Sequence, residues 1–287
     1  MPVTDVRRAV LTFGSRGLRS LPWRATRDPW AVLVSESMLQ QTQAARVVPA
    51  WQRFLDRFPT VRACAAAAPG EVVAAWSGLG YNRRAVFLHR TAVSVVERHG
   101  GEFPDRLADL LALPGIGPYT ARAVLAFAFE QDVGVLDVNT SRVLARGVAG
   151  RSLGRTEAQD LADALVPPGR GWAWNQALLD LGAEVCTSRA PRCGSCPLAG
   201  VCRWRRTGSP DPALGSAGVG GRQSRFEGSH RQGRGRLLRA LTRGSVGPEA
   251  LASACGWPEA PDRAGSAAAG LVRDGLARWE GEALVLA

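Results

Sequence analysis

The sequence has 287 residues, a net charge of +11 and a pI near 10.8. A chain of this length forms about two domains, and so basic a balance favours an anionic partner, nucleic acid first. A basic surface without a partner is the plainer alternative. All 36 basic residues are arginine, which excludes a Schiff-base reaction by a side-chain amine.

No segment has the composition of a signal peptide or a membrane span. The N-terminal residues lack an uninterrupted apolar run, and Glu130 and Asp132 interrupt the most apolar window. A cytoplasmic protein without a membrane contact is therefore expected, and its six cysteines are expected to be thiols or metal ligands.

Most of the first 205 residues are predicted to be helical. Apolar residues recur every three or four positions in segments 29–58, 71–100 and 156–166. Short segments rich in proline and glycine separate these helices, and sustained strand alternation is absent. The pattern predicts an all-α fold.

The first candidate site residue lies within the first of these helices. Glu36 interrupts the apolar pattern of "VSESMLQQTQ", residues 34–43. Desolvation inside a helical core would raise the pKa of this carboxyl group and favour its protonated form. A carboxylate that is paired or reaches the solvent is the alternative interpretation.

A helix is broken and restarted at "LPGIGPYT", residues 113–120. Gly115 and Gly117 permit backbone angles and close approaches that side chains forbid. The turn then exposes backbone N–H groups at the start of the next helix, where they can bind a phosphate oxygen. The pattern predicts a helix-hairpin-helix motif that holds DNA without reading its sequence, and an ordinary helical hairpin is the alternative.

A second carboxylate follows the hairpin in "GVLDVNTSRVL", residues 134–144. Asp137 and Asn139 lie there in front of a predicted helix, where Asp137 could simply act as the N-cap. Either carboxylate alone would be a weak candidate. Because the same chain also contains the hairpin and the four cysteines, Asp137 and Glu36 are stronger candidates for site residues.

Four cysteines close the helical region with the spacing C-x6-C-x2-C-x5-C: Cys186, Cys193, Cys196 and Cys202. Four thiols in one short loop of a cytosolic protein are typical of an iron–sulfur cluster. Zinc also accepts four cysteines and remains the alternative. Cys64 and Cys255 lie outside this set and are expected to be buried core residues.

The composition changes after about residue 205. Residues 206–234 are rich in glycine, serine, proline and arginine and are predicted to be a flexible basic linker. Residues 235–287 then contain three short helical patterns and one alternating segment. This order predicts a small winged-helix-like module, which either adds DNA contacts or packs against other protein surfaces.

Together these motifs resemble the helix-hairpin-helix DNA glycosylases that carry a 4Fe–4S cluster. Within that group the chain is similar to the adenine glycosylases of the MutY type. The resemblance covers about residues 15–205 and rests on "LPWR", "SESMLQQTQ", "GLGY", "LPGIGPYTARAV", "VLDVN", "NQALLDLGAEVC" and the cysteine loop. It implies an N-terminal helix packed on the cluster domain (1–26), a six-helix barrel domain (27–130) and an iron–sulfur cluster domain (131–205).

The resemblance implies a chemical role for each carboxylate. Glu36 matches the acid that protonates adenine, and Asp137 matches the carboxylate that stabilises the sugar cation, as in a retaining glycosidase. Tyr119 and Asn139 match residues that support Asp137. Relatives with lyase activity carry lysine in place of Tyr119, so base removal without efficient strand cleavage is expected.

The resemblance also implies contacts with DNA, since the target base must be flipped out of the duplex. Arg19, Trp23, Leu39 and Gln176 match residues of the adenine pocket, although core packing is an equal alternative for Trp23 and Leu39. Gln41 and Tyr81 match residues inserted near the opposing guanine or 8-oxoguanine. The cysteines match the ligands of the 4Fe–4S cluster.

The expected function is therefore removal of adenine mispaired with 8-oxoguanine or guanine in double-stranded DNA, by a monomer. A thymine or uracil mismatch glycosylase of the same fold and a non-catalytic iron–sulfur DNA-binding protein are the alternatives. Many MutY-type enzymes carry a C-terminal domain resembling Nudix hydrolases, whereas here only about 55 residues follow the linker. A strong preference for 8-oxoguanine over guanine is therefore in doubt.

Overall fold

A computed structural model describes residues 3–217 and 225–287 of the chain. In chain order, the helices are α1 (Val3–Ser15), α2 (Pro29–Leu39), α3 (Ala44–Arg57), α4 (Val61–Ala66), α5 (Pro69–Ala75), α6 (Arg83–His99), α7 (Leu107–Leu111), α8 (Pro118–Phe127), α9 (Val138–Val143), α10 (Arg155–Leu165), α11 (Gly171–Asp180), α12 (Arg203–Thr207), α13 (His230–Leu241), α14 (Leu251–Cys255) and α15 (Pro261–Arg273). Two strands follow, β1 (Ala277–Glu280) and β2 (Ala283–Leu286). The predicted all-α fold is confirmed in the described residues.

The chain divides into two compact units, each assembled from separate segments. Unit 1 contains residues 1–33, 105–111 and 116–221, and unit 2 contains residues 34–104, 112–115 and 222–287. Compact units need not coincide with domains inferred from a sequence, and the predicted domain boundaries stay a prediction.

Unit 1 has one apolar core. It contains Val6 and Val10 of α1, Leu165 of α10 and Trp174 of α11, all almost fully buried. Helices α9 and α11 each continue directly into a π-helical segment, Leu144–Ala149 and Leu181–Val185. Such segments are rare and often accompany functional sites. The second of them ends immediately before Cys186.

Unit 2 has an aromatic core between α3 and the segment after α5. The ring of Phe54 lies 5.1 Å from that of Phe58 and 6.0 Å, edge-on, from that of Trp76. Thr60 caps α4 by accepting a hydrogen bond from the Ala63 N–H group, and α6 ends at Gly100 in the left-handed conformation. Cys64 is fully buried, and burial raises the pKa of its thiol to about 12, as befits a core residue.

The C-terminal part of unit 2 has the predicted order of elements. Helices α13, α14 and α15 precede the antiparallel hairpin of β1 and β2, in which Ala277 pairs with Leu286. Val246, between α13 and α14, forms an antiparallel bridge with Leu284. This order of helix, bridge, two helices and hairpin confirms the winged-helix-like module.

Part of the predicted linker has regular structure. Residues 212–215 form a 3-10 turn that Asp211 caps, and α13 begins at His230. Residues 218–224 of the predicted linker lie outside the described residues, so its flexibility stays a prediction. Among the described residues, no helix is long and apolar enough to cross a lipid bilayer.

Candidate active site

Glu36 lies within α2 in unit 2, surrounded by buried neighbours. Its side chain is only 4% exposed, and Ser35 and Ser37 on either side of it are also buried. Withdrawal from water disfavours the charged form of any carboxyl group. The predicted placement of this acid inside a helical core is therefore what the structure shows.

Two turns of unit 2 hold the residues predicted to enter the duplex. Gln41 has φ 57° and Tyr81 has φ 49°, a left-handed conformation that non-glycine residues rarely adopt. Both side chains are exposed, and Leu39 is half-buried at the end of α2. We call residues 40–43 the Gln41 turn and residues 77–82 the Tyr81 turn.

Arg84 joins these two turns, a role that the sequence analysis missed. One of its nitrogens, Nη1, donates to the carbonyl oxygens of Ser37 at 2.7 Å and Gln40 at 2.7 Å. The other, Nη2, donates to the Gly80 carbonyl at 2.9 Å. A guanidinium has five N–H donors in a rigid plane, so it can satisfy the carbonyls left open at the end of α2 and also reach the neighbouring turn. Burial lowers the pKa of Arg84 to about 10.

The hairpin glycines have distinct environments. Gly115 has φ 74°, and a Cβ atom there would lie 2.5 Å from the Cβ atom of Phe87 in unit 2. Gly117 precedes α8 as its N-cap, and a Cβ atom there would meet nothing within 4 Å. Open space at the start of a helix gives a phosphate oxygen access to the first free N–H groups. Tyr119, in the first turn of α8, is half-buried.

Asp137 is both the N-cap of α9 and the candidate reactive carboxylate. Its Oδ1 atom accepts hydrogen bonds from the N–H groups of Asn139 at 2.9 Å and Thr140 at 2.7 Å, and its Oδ2 atom accepts one from Asn139 Nδ2 at 2.7 Å. Burial raises the pKa of Asp137 above its ordinary value, and the hydrogen bonds from Thr140 and Asn139 oppose that rise. The capping role and the site role are thus compatible.

Arg142 connects this carboxylate to the cysteine loop, and the sequence analysis missed it as well. Its guanidinium donates to Asn139 Oδ1 at 2.8 Å and to the carbonyl oxygens of Cys186 and Gly182, both at 2.6 Å. Asn139 is therefore oriented on one side by Arg142 and on the other by Asp137.

Arg19 and Arg24 hold the buried Asp180 in unit 1. Asp180 is 1% exposed and lies 2.5 Å from Arg19 Nε and 2.7 Å from Arg24 Nη2. This pairing gives Arg19 a structural role, and its predicted contact with adenine stays a prediction. Trp23 is buried in the short turn Pro22–Arg24, and Gln176 is buried in α11.

We expect Asp180→Asn to lower the free energy of unfolding by about 3 kcal/mol at pH 7, because the variant leaves two arginines without their buried partner. Burial would raise the pKa of Asp180, but Arg24 and Arg19 outweigh it and the pKa is lowered. The carboxylate therefore contributes stability above its unfolded pKa of about 3.9, and that contribution is lost as the pH falls through the lower folded pKa.

Urea midpoints at pH 7 and near pH 3 measure this effect. The gap between the wild type and Asp180→Asn should narrow at the lower pH. Asp160→Asn, at an exposed position of α10, is the matched control and should leave the midpoint unchanged. An Asp180→Asn midpoint equal to that of the control would contradict the assigned ion pair.

The four predicted cysteine ligands line one cavity of unit 1. Within residues 3–217 and 225–287, no three potential ligands converge on a single-ion position. Each thiolate of a 4Fe–4S cluster binds a different iron, whereas the thiolates of a zinc site share one ion. Four thiols lining one cavity are the number that a 4Fe–4S cluster binds, and Cys186, Cys193, Cys196 and Cys202 are its predicted ligands.

A buried cation accompanies these thiols. Arg146 is 2% exposed, and its Nη1 atom lies 3.6 Å from the Cys186 Sγ atom. The same guanidinium pairs with Asp211 at 2.5 Å and lies 4.9 Å from the ring centre of Trp204. Its positive charge offsets the negative charge that thiolate ligands bring into this cavity.

Comparisons with known proteins agree with this geometry. Residues 34–167 match the family described as "HhH-GPD superfamily base excision DNA repair protein", and residues 186–202 match the "Iron-sulfur binding domain of endonuclease III". The second match confirms the predicted 4Fe–4S cofactor.

Relatives that are similar along most of the chain identify the family within this superfamily. The adenine DNA glycosylase of Mycolicibacterium smegmatis is 43% identical over 272 residues, 93% of this chain and 90% of that protein. The adenine DNA glycosylase of Mycobacterium tuberculosis is 46% identical over 238 residues, covering 81% and 77%. The solved structure of a thermostable thymine-DNA glycosylase has a TM-score of 0.68 at 30% identity and covers 71% of this chain and 97% of that one. With its hairpin, its cluster loop and a relative similar along nearly its whole length, the chain belongs to the MutY-type adenine DNA glycosylases of the helix-hairpin-helix superfamily.

Proposed function

We propose that this protein is a monofunctional DNA glycosylase of base excision repair that hydrolyses the N-glycosidic bond of adenine mispaired with 8-oxoguanine or guanine. It acts as a monomer on double-stranded DNA. The observation that carries the proposal is the withdrawal of two carboxyl groups from solvent: Glu36 is 4% exposed, and Asp137 is half-buried and accepts three hydrogen bonds.

The two carboxyl groups divide the chemistry between them. Glu36, as the neutral acid, donates its proton to a ring nitrogen of the flipped adenine, and the electrons of the glycosidic bond leave with the base. The sugar is left as a cation, which the Asp137 carboxylate stabilises. A water molecule then bonds to the sugar carbon and returns a proton to Glu36, so the acid is regenerated.

Two influences on the Asp137 carboxyl group oppose each other, and burial, the larger of them, raises its pKa. The hydrogen bonds from Asn139 and Thr140 favour the ionised carboxylate, while burial keeps its charge poorly solvated. A poorly solvated anion acts more strongly on a neighbouring cation than a hydrated one does. Tyr119, at the start of α8, is the predicted neighbour that supports this carboxylate.

The cysteines would hold the 4Fe–4S cluster, which when bound cross-links residues 186–202 through its irons. Arg142 and Arg146 attach that loop to the π-helical and α9 segments by hydrogen bonds to Cys186, Thr187 and Ser188. The chain's own contribution is therefore a fixed position for Asn139 beside Asp137.

A panel of duplexes tests the proposed substrate. With A:8-oxoG, A:G, T:G and U:G mispairs, we expect excision only in the two that contain adenine. Strands should break only after alkali treatment, because the chain has no lysine to form a Schiff base with the abasic sugar.

Because the chain is structurally similar to a thymine-DNA glycosylase, the excision of thymine from the T:G duplex is the result that best separates the two activities. Excision of thymine or uracil without excision of adenine would establish the alternative activity. Binding of all four duplexes without excision of any base would establish a non-catalytic DNA-binding protein.

A further inference from the structure

Tyr81 is contacted by a residue of the C-terminal module 150 positions later in the chain. The Arg231 Nη1 atom donates to the Tyr81 hydroxyl at 2.8 Å, and the guanidinium lies 6.0 Å from the centre of the tyrosine ring. The same guanidinium lies 5.9 Å from the centre of the Phe226 ring. The module therefore takes part in the environment of a residue expected to enter the duplex.

A groove of unit 2 runs between α13 and the two turns. Its module side is formed by Arg231, Gly235, Leu238, Arg239 and Thr242, which recur at the spacing of one helix face. Its opposite side includes Gln40, Gln41, Arg46, Tyr81 and Arg84.

The charge of this groove is strongly one-sided. Seven arginines line it, against a single carboxylate, Asp274, which is already paired with Arg234 at 2.5 Å. Arg236 and Arg239 of α13 are exposed and have no ion-pair partner among the described residues. A surface with this excess of positive charge favours the binding of a polyanion such as DNA.

Helix α15 of the module has a different surface. The outer face of α15 carries Gly265, Ser266 and Ala269, which are exposed but too short to reach a base edge in the major groove. The long polar side chains of α15 are confined to its two ends, and Arg263 there donates to the Gly228 carbonyl oxygen and lies over the Trp257 ring.

We propose that the C-terminal module is a DNA-backbone clamp and that the groove along α13 receives the phosphates of the strand whose base faces Tyr81. The identity of that strand rests on the proposed function together with the predicted insertion of Tyr81 near the guanine or 8-oxoguanine opposite adenine. Contacts to phosphates are independent of sequence, so the groove strengthens binding to any duplex and keeps the Tyr81 turn in register with the mispair.

Two glycines provide a matched test. A Cβ atom at Gly235, in the groove, or at Gly265, on the outer face of α15, would meet no atom within 4 Å. Neither glycine has a positive φ, and both lie inside helices, where other residues are favoured over glycine. Gly235→Glu and Gly265→Glu should therefore both fold, with thermal midpoints at or above that of the wild type.

We expect Gly235→Glu to raise the dissociation constant for a mispaired duplex and for a fully paired duplex by about tenfold at low salt, since a carboxylate then faces the phosphates. The salt dependence of binding should change with it. Gly265→Glu, with the same change in net charge, and Gly235→Ala, with no change in charge, should bind like the wild type. Single-turnover excision at saturating Gly235→Glu should match the wild type, because the groove lies outside the reacting groups.

Unchanged binding by Gly235→Glu would overturn the clamp, as would equal weakening by Gly265→Glu. In the second case the effect would follow from net charge or from α15. If Gly235→Glu retains wild-type affinity for DNA, an acidic protein becomes the candidate occupant of the groove. The binding measurements use duplex DNA without requiring excision, so failure of the proposed adenine activity would be seen separately.

Discussion

Glu36→Gln should retain tight binding to an A:8-oxoG duplex while its single-turnover excision rate falls by a factor of about 10² to 10⁴. The substitution preserves the size of the side chain within α2 but removes the proton that the departing adenine requires. Because Glu36 is only 4% exposed, bulk water has little access to replace that proton.

The matched control is Glu97→Gln, in which an exposed carboxyl group of α6 in the same unit undergoes the same change. It should excise adenine at the wild-type rate. Thermal midpoints of both variants establish that they fold. Near-normal excision by Glu36→Gln would remove the general acid from the mechanism, and loss of binding together with excision would indicate a structural role for the residue.

Asp137→Asn is expected to be the other severe variant, with excision reduced by about 10³-fold or more, because a neutral amide cannot stabilise the sugar cation. Stability should fall only modestly, since asparagine is as good an N-cap as aspartate, although its Nδ2 group would face the Asn139 Nδ2 donor that Oδ2 accepts in the wild type. The amide oxygen can still accept the N–H groups of Asn139 and Thr140 that Oδ1 accepts in the wild type.

Asp137→Ala separates the two roles of this side chain. It loses the cap as well as the charge, so its free energy of unfolding should fall by about 1 kcal/mol relative to Asp137→Asn while excision stays equally low. The test measures the excision rate and the thermal midpoint of both variants and asks whether the loss of excision exceeds what unfolding explains. An Asp137→Asn variant that is active, or inactive only because it unfolds, would contradict the proposed role.

The sequence was sufficient for features that depend on local spacing. The cysteine loop, the hairpin glycines, the cap at Asp137 and the order of the C-terminal elements each follow from residues close together in the chain. Short-range patterns of this kind are determined by backbone geometry and by ligand spacing, so they can be recognised without knowledge of the tertiary structure.

The arginines show where such reasoning stops. Arg84, Arg142 and Arg146 organise the turns, Asn139 and the cysteine loop, but all basic residues of the chain are arginine. Composition and periodicity therefore give no means of selecting the few that are buried or half-buried and organise their surroundings. A weak signal existed for Arg84, which lies two residues after the Tyr81 turn, yet Arg83 between them is exposed in the structure.

Long-range pairings were equally hidden. Asp180 meets Arg19 and Arg24 across more than 150 positions, and Tyr81 meets Arg231 across 150. Such contacts depend on how separate segments assemble into each unit, which one sequence without relatives does not reveal.

The shared guanidinium of Arg84 has a mechanical consequence for base recognition. Because one rigid plane bonds to carbonyls of both the Gln41 turn and the Tyr81 turn, neither loop can open without breaking contacts that also hold the other. Under the predicted insertion of Gln41 and Tyr81 into the duplex, we expect these two side chains to move together rather than independently.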